Sequence, residues 1–215
     1  MSEAQAALPP RLGGSLCLDF VNTIRPRAGE ERREYLPGYL SLVRWAASVG
    51  ILDQAQQQRL RKDAARRRAD AGATLAAAVD LREAVYRVFA AVAQGSAPAA
   101  ADLAALQRAY ADALRHARIV AAGGELRWAW DEEGLDLDRM LWPVARSAAE
   151  LATSGQLGRV RQCPVAEGGC GWLFLDTTRN GTRRWCSMQD CGGRAKARRQ
   201  YARRRAASAR AGGAA

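Results

Sequence analysis

Apolar residues at helical spacing organise the first two thirds of the chain. Leu81, Val85, Val88, Phe89 and Val92 fall at i, i+4, i+7, i+8 and i+11 and build one stripe. Gly95 and Pro98 close that helix, and Leu103, Leu106, Tyr110 and Leu114 predict the next. Upstream, Leu42, Trp45 and Val49 share a face of a helix over Tyr39–Val49 that Gly50 stops. Asp53 is placed to N-cap a helix running to about Arg68. Ile119-Val120 and Leu126–Trp130 flank Gly123-Gly124, a β-hairpin signal. Pro143 suits the first turn of a helix with Leu141, Val144, Ala148 and Leu151 facing inward. Leu16–Thr23 alternates too briefly to separate a strand from a helical turn. These stripes read as core, Cys17 as a small buried hydrophobe, and His116 as a dipole partner at a helix C-terminus.

Charge divides the chain differently. The 215 residues carry a net charge of +11, with 31 Arg and 2 Lys. Arg excess alone can reflect coding bias, so position matters more than amount. Residues 1–158 hold 20 basic and 19 acidic side chains, whereas residues 159–215 hold 13 and 3. Gly155 and Gly158 loosen the join. The expected organisation is therefore a near-neutral helical domain over 1–158, a polyanion-facing module over 159–208 and a disordered tail over 209–215. No run approaches the ~18–20 apolar residues of a membrane span, and Met1–Leu12 lacks a signal-peptide pattern. A cytoplasmic protein without structural disulfides is expected. With His116 as the single histidine, mechanisms that need a His base have little support.

Four of the five cysteines are spaced Cys163-x6-Cys170-x15-Cys186-x4-Cys191. Zinc favours four thiolates in a tetrahedron, and two cysteine pairs supply them. Pro164, Gly168, Gly169 and Gly171 permit a tight knuckle, although six intervening residues exceed the usual two to four. Trp172–Leu175 predicts a strand, Asn180-Gly181 a hairpin turn, and Arg183–Trp185 the return strand delivering Cys186. Cys191 then precedes a helix from Ala195 to about Ala207, where the dipole favours thiolate. Knuckle, hairpin and helix make a treble-clef-like module. With few large apolar groups it needs the metal to fold, and structural zinc supplies about 10–16 kcal/mol in small peptides. One structural Zn2+ per chain is expected.

These residues resemble the CGNR zinc-finger proteins, or ABATE-domain family, a group of stress-induced transcription regulators. The likeness rests on Cys170-Gly171-Trp172, Phe174-Leu175-Asp176, Arg179-Asn180-Gly181, Arg184-Trp185-Cys186 and Cys191-Gly192-Gly193-Arg194-Ala195-Lys196. In the N-terminal part it rests on Leu18-Asp19-Phe20-Val21-Asn22-Thr23. Gly193 replaces the Asn of the namesake tetrad, and Thr178 stands where the family pattern has Ser. The resemblance implies a zinc-binding, nucleic-acid-binding protein.

The charge pattern points the same way. Arg194, Lys196, Arg198, Arg199, Arg203, Arg204 and Arg205 crowd one helix and repel one another unless an anion neutralises them. Arg179, Arg183 and Arg184 on the hairpin extend the surface. Trp172, Trp185 and Tyr201 are read as packing around the metal rather than stacking on bases. The leading function is a DNA-binding transcription regulator acting on double-stranded DNA, with the helical domain sensing a small ligand or forming a homodimer. The alternatives are an RNA-binding zinc-ribbon-like protein and, behind it, an enzyme using the N-terminal domain and the acids of Asp131–Asp138. Asp19 and Asn22, polar among apolar neighbours, either line a ligand site or cap a turn. The fold class expected is α+β, mostly helical with a small β-hairpin, then the zinc module.

Overall fold

The computed structural model describes residues 7–27, 32–131 and 136–212, with side chains through 205. The N-terminal part is helical: α1 (Leu16–Val21), α2 (Tyr39–Ser48), α3 (Gln54–Arg66), α4 (Arg68–Ala93), α5 (Ala100–Arg115) and α6 (Leu141–Ala152). Leu16–Thr23 thus begins as a helical turn. Asp53 caps α3 as expected, accepting from Gln56 N at 2.7 Å while Gln56 Oε1 accepts from Asp53 N. α4 begins a full three turns before the Leu81 stripe, because Ala-rich residues 71–79 favour helix without a wide apolar face.

The core gathers Leu18 and Phe20 of α1, Leu42 and Trp45 of α2, Val85 and Phe89 of α4, and Val144 and Ala148 of α6. The inward face of α5 differs from the expected one. Asp102, Leu106 and Ala113 are buried, while Leu103 and Leu114 are exposed. Arg87 makes the inward Asp102 tolerable, with its Nη2 2.6 Å from the carboxylate.

Among the described residues, three two-stranded antiparallel sheets accompany the helices. β1 (Ile24–Arg25) pairs with β2 (Arg33–Glu34). β3 (Ala117–Ala122) pairs with β4 (Glu125–Trp130) about Gly123 and Gly124, both at positive φ as this two-residue turn requires. Of the acidic connection Asp131–Asp138, residues 132–135 lie outside the described residues. β5 (Val160–Gln162) pairs with β6 (Leu173–Leu175), and α7 (Gly193–Gly212) is the last described element.

The sheet in the zinc module is not the expected one. Arg183–Trp185 forms no strand; β6 takes β5, which precedes the first cysteine, as its partner. Asp176 explains the change. Its buried carboxylate accepts from Thr178 N, Thr178 Oγ1 and Arg183 N, so the return segment is held by a side chain instead of a ladder.

The two expected modules also share a core. Val160, Leu173 and Leu175 pack into the helical cluster. Leu175 N donates to Gly13 O at 2.8 Å, Arg27 N to Cys170 O at 2.8 Å and Trp172 Nε1 to Ile24 O at 2.7 Å.

Candidate metal centre and basic helix

Cys163 follows β5 directly, and Cys170 sits two residues before Trp172. The ladder continues between them: Cys163 N donates to Trp172 O at 2.8 Å and Gly171 N to Cys163 O at 3.2 Å. Both sulfurs therefore emerge at the turn end of one hairpin. The long knuckle is accounted for by a 3₁₀ turn at Val165–Glu167, wound around Pro164 O, which accepts from Glu167 N and Gly169 N. Gly168 closes the turn at φ 89°. Gly169 has no room for a side chain: an added Cβ would stand 2.7 Å from Cys163 Sγ and from Pro164 O.

Of the second pair, Cys186 stands two residues ahead of a short π-helical segment, Met188–Gly192, that carries Cys191. Ser187 caps it, its Oγ accepting from Asp190 N at 3.2 Å. Cys191 lies within that segment, just before α7. The four sulfurs lie within 4.8 Å of one another and all four cysteines are buried. Cys170 and Cys186 sulfurs are 3.4 Å apart, and those of Cys186 and Cys191 3.6 Å. A zinc ion 2.3 Å from each sulfur of a tetrahedron spaces the sulfurs by about 3.8 Å, so this set fits one Zn2+. One thiol is disposed to lose its proton ahead of the others: hydrogen bonds from Cys170 and then Cys186 hold Cys163 far below its usual pKa, while the interaction with Cys163 pushes Cys170 and Cys186 up. Trp172, Phe174, Trp185, Ala195 and, from the helical domain, Tyr35 enclose the cluster. Trp172 and Trp185 thus pack around the metal, as expected. Tyr201 does not; it is 65% exposed.

Two family models match the chain once it is compared with known proteins. ABATE, described as "Putative stress-induced transcription regulator", matches residues 14–155, and the CGNR zinc finger matches residues 159–204. The chain belongs to the ABATE family. No curated protein matches it. In this ABATE protein the CGNR finger and its four cysteines constitute a zinc-binding module holding one structural Zn2+. Gly193, at the namesake Asn position, opens α7; an added Cβ would meet only Met188 O at 3.6 Å, so nothing here demands glycine. Thr178 keeps the hydroxyl that Asp176 uses.

The remaining candidate residues separate into built-in and exposed groups. Asn22 is fully buried and spans the two modules: its Nδ2 donates to Leu173 O at 2.8 Å and its Oδ1 accepts from Leu173 N at 3.1 Å. The amide read as either a ligand-site group or a turn cap is therefore consumed by the backbone of Leu173. Asp19 accepts from Gly13 N at 2.8 Å, lies 3.9 Å from Arg11 Nε, and borders an open cleft of about 670 Å³. Burial raises its pKa. Arg183 is also built in. Its guanidinium donates to Trp185 O and Cys186 O and covers the Phe174 ring, which departs from the expected exposed phosphate contact. Arg184 pairs with Glu167 and remains exposed, as does Arg179 on the turn. Arg194 turns back, donating to Cys191 Sγ at 3.2 Å and pairing with Asp190 at 3.1 Å. Lys196, Arg198, Arg199, Arg203, Arg204 and Arg205 are exposed, with Arg198 lying against Gly168.

Among the described side chains of α7, residues 193–205, Ala195 at 3% exposure is the buried anchor, and residues 196–205 all stand in solvent. The helix carries eight basic residues and no acidic one. Sequence reasoning missed Arg25 and Tyr35, which the fold brings to the metal cluster from residues distant in the chain. Nothing local in the sequence marks the role of Arg25.

Proposed function

We propose that this ABATE protein is a DNA-binding transcription regulator that engages double-stranded DNA through α7. The supporting observation is the helix itself. A polar helix normally buries one stripe or carries opposing charges, and over residues 196–205 α7 does neither. Its cations are held where a polyanion can reach them, and zinc fixes the base from which they project. Arg offers bidentate contacts to phosphate and to guanine in the major groove. Arg179 and Arg184 add to the surface, and exposed Tyr201 supplies an aromatic face beside the cations. The same features support RNA binding as the second reading. We assign the protein a regulatory rather than an enzymatic role in the cytoplasm, with ligand sensing through the Asp19 cleft and homodimerisation as roles for the helical domain. Among the described residues, no helix is long and apolar enough to cross a membrane.

Fluorescence anisotropy with duplex and single-stranded probes across salt concentrations tests this. About six phosphate contacts give a slope of log K against log salt near −5. Arg198→Ala with Arg199→Ala should weaken binding to every duplex and reduce the slope by roughly two. Exposed Arg66 and Arg68 of the helical domain should be replaceable with little effect. An unchanged slope after loss of Arg198 and Arg199 would remove α7 from the interface, and preference for RNA over duplex DNA would favour the second reading.

A further inference from the structure

The zinc cluster poses an electrostatic problem. Four thiolates around Zn2+ carry a net charge of −2, and the site is buried. A buried charge of that size needs donors or countercharges. Backbone groups serve the knuckle: Cys163 interacts with the backbone of Cys186 and Cys170, and Cys170 with that of Trp172. Cys191 is served differently. Two guanidinium groups point at its sulfur, Arg194 Nη2 at 3.2 Å and Arg25 Nη2 at 3.6 Å.

Their origins differ. Arg194 is in the first turn of α7. Arg25 belongs to β1, 166 residues away from Cys191 in sequence. Arg25 pairs with Asp190, stacks 5.1 Å above the Trp172 ring, and is only 21% exposed at its side chain. Asp190 also pairs with Arg194, so one carboxylate bridges both cations directly over the metal ligand. The two arginines oppose the −2 of the loaded site, and Asp190, which leaves the cluster at a net −1, fixes their spacing. Nothing else on β1 requires an arginine at this position: its backbone pairing to Arg33 is independent of side chain.

We propose that Arg25 is a positioning residue of the zinc site, through which the helical domain stabilises the tetrathiolate centre and the root of α7. It acts on the metal through Cys191 Sγ and on α7 through Asp190. Zinc retention is thus a property of the assembled chain rather than of the finger. This inference rests on the zinc assignment and is independent of nucleic-acid binding, so loss of one leaves the other standing.

The test uses the full-length, zinc-loaded chain and a chromophoric chelator. Arg25→Gln removes the charge and should speed zinc release about 10–100-fold, the usual range for groups that support metal ligands. Arg68→Gln, exposed at the start of α4, should release zinc at the wild-type rate. Release from Arg25→Gln at the wild-type rate, with far-UV circular dichroism unchanged, would overturn the proposal. If Arg25→Gln loses helical signal, Arg25→Lys decides the matter in the cadmium-substituted protein. Lysine keeps the charge but not the fork that reaches both Asp190 and the sulfur. The cadmium resonance should then shift relative to wild type, and an unmoved resonance would mean that Arg25 does not act on the metal.

Discussion

At the scale of single residues, the contacts that matter most are polar groups facing backbone. Asn22 is the clearest. Replacing it with Ala leaves both the N–H and the C=O of Leu173 buried without their partners. Each orphaned group costs about 1–3 kcal/mol, so Asn22→Ala should lower stability by roughly 2–6 kcal/mol. Chemical denaturation would show it as a shifted midpoint, and a change under about 0.5 kcal/mol would deny Asn22 this joining role. Asp176 supplies a pH-dependent term. The Thr178 hydroxyl, aided by backbone N–H donors, holds its carboxyl below the usual Asp value. A depressed folded pKa gives stability that is present above about pH 4 and is lost as acid protonates the folded group. Asp176→Asn should therefore flatten the acid limb of the stability profile while lowering stability at neutral pH. An acid limb identical to wild type would mean that other carboxylates carry it.

At the scale of elements, the knuckle shows how local chain chemistry builds a metal site. Six residues between Cys163 and Cys170 looked too many for a zinc knuckle. The surplus forms the 3₁₀ turn at Val165–Glu167, and the β5–β6 ladder brings the two cysteines together regardless of the turn between them. Gly169 is the tight point. Gly169→Ala places a methyl against Cys163 Sγ and Pro164 O, a clash typically worth about 1–3 kcal/mol. Because φ at Gly169 is unexceptional, that cost is steric alone, and it should appear as roughly 5- to 100-fold weaker zinc binding in chelator competition. Wild-type affinity in this variant would show that the knuckle relaxes freely.

At the scale of the whole molecule, zinc and the helical core are linked. Val160, Leu173 and Leu175 are buried among helices, Tyr86 Oη donates to Gly171 O, and Arg25 and Tyr35 reach the metal cluster. Zinc removal should therefore lower the melting temperature of the helical signal, not only that of the finger. Calorimetry of the loaded chain should give one cooperative transition. A helical transition indifferent to chelator would mean that the shared contacts contribute little. For the same reason a 1–158 fragment should keep its helices yet melt below the full chain and bind a hydrophobic dye where β5 and β6 are missing.

Much of this was legible in the chain. The four-cysteine set depends on residue type and order, which are sequence properties, and zinc's preference for thiolates does the rest. The Asp53 cap, the Gly123-Gly124 hairpin and the inward face of α6 are local too, because turn and cap chemistry act within a few residues. Charge segregation identified α7 before any coordinates. Tertiary structure decided what depends on residues far apart. It paired β6 with β5 instead of Arg183–Trp185, since a strand's partner is set by which backbone reaches its free edge. It turned Asn22 and Arg183 from candidate contacts into internal braces. It buried Asp102 and exposed Leu103 on α5, because helix orientation follows the neighbouring surfaces and an available Arg87, not hydrophobicity alone. It also carried Arg25 across 166 positions to Cys191, a contact invisible to local pattern because electrostatic pairing in a folded core depends on distance in space and not along the chain.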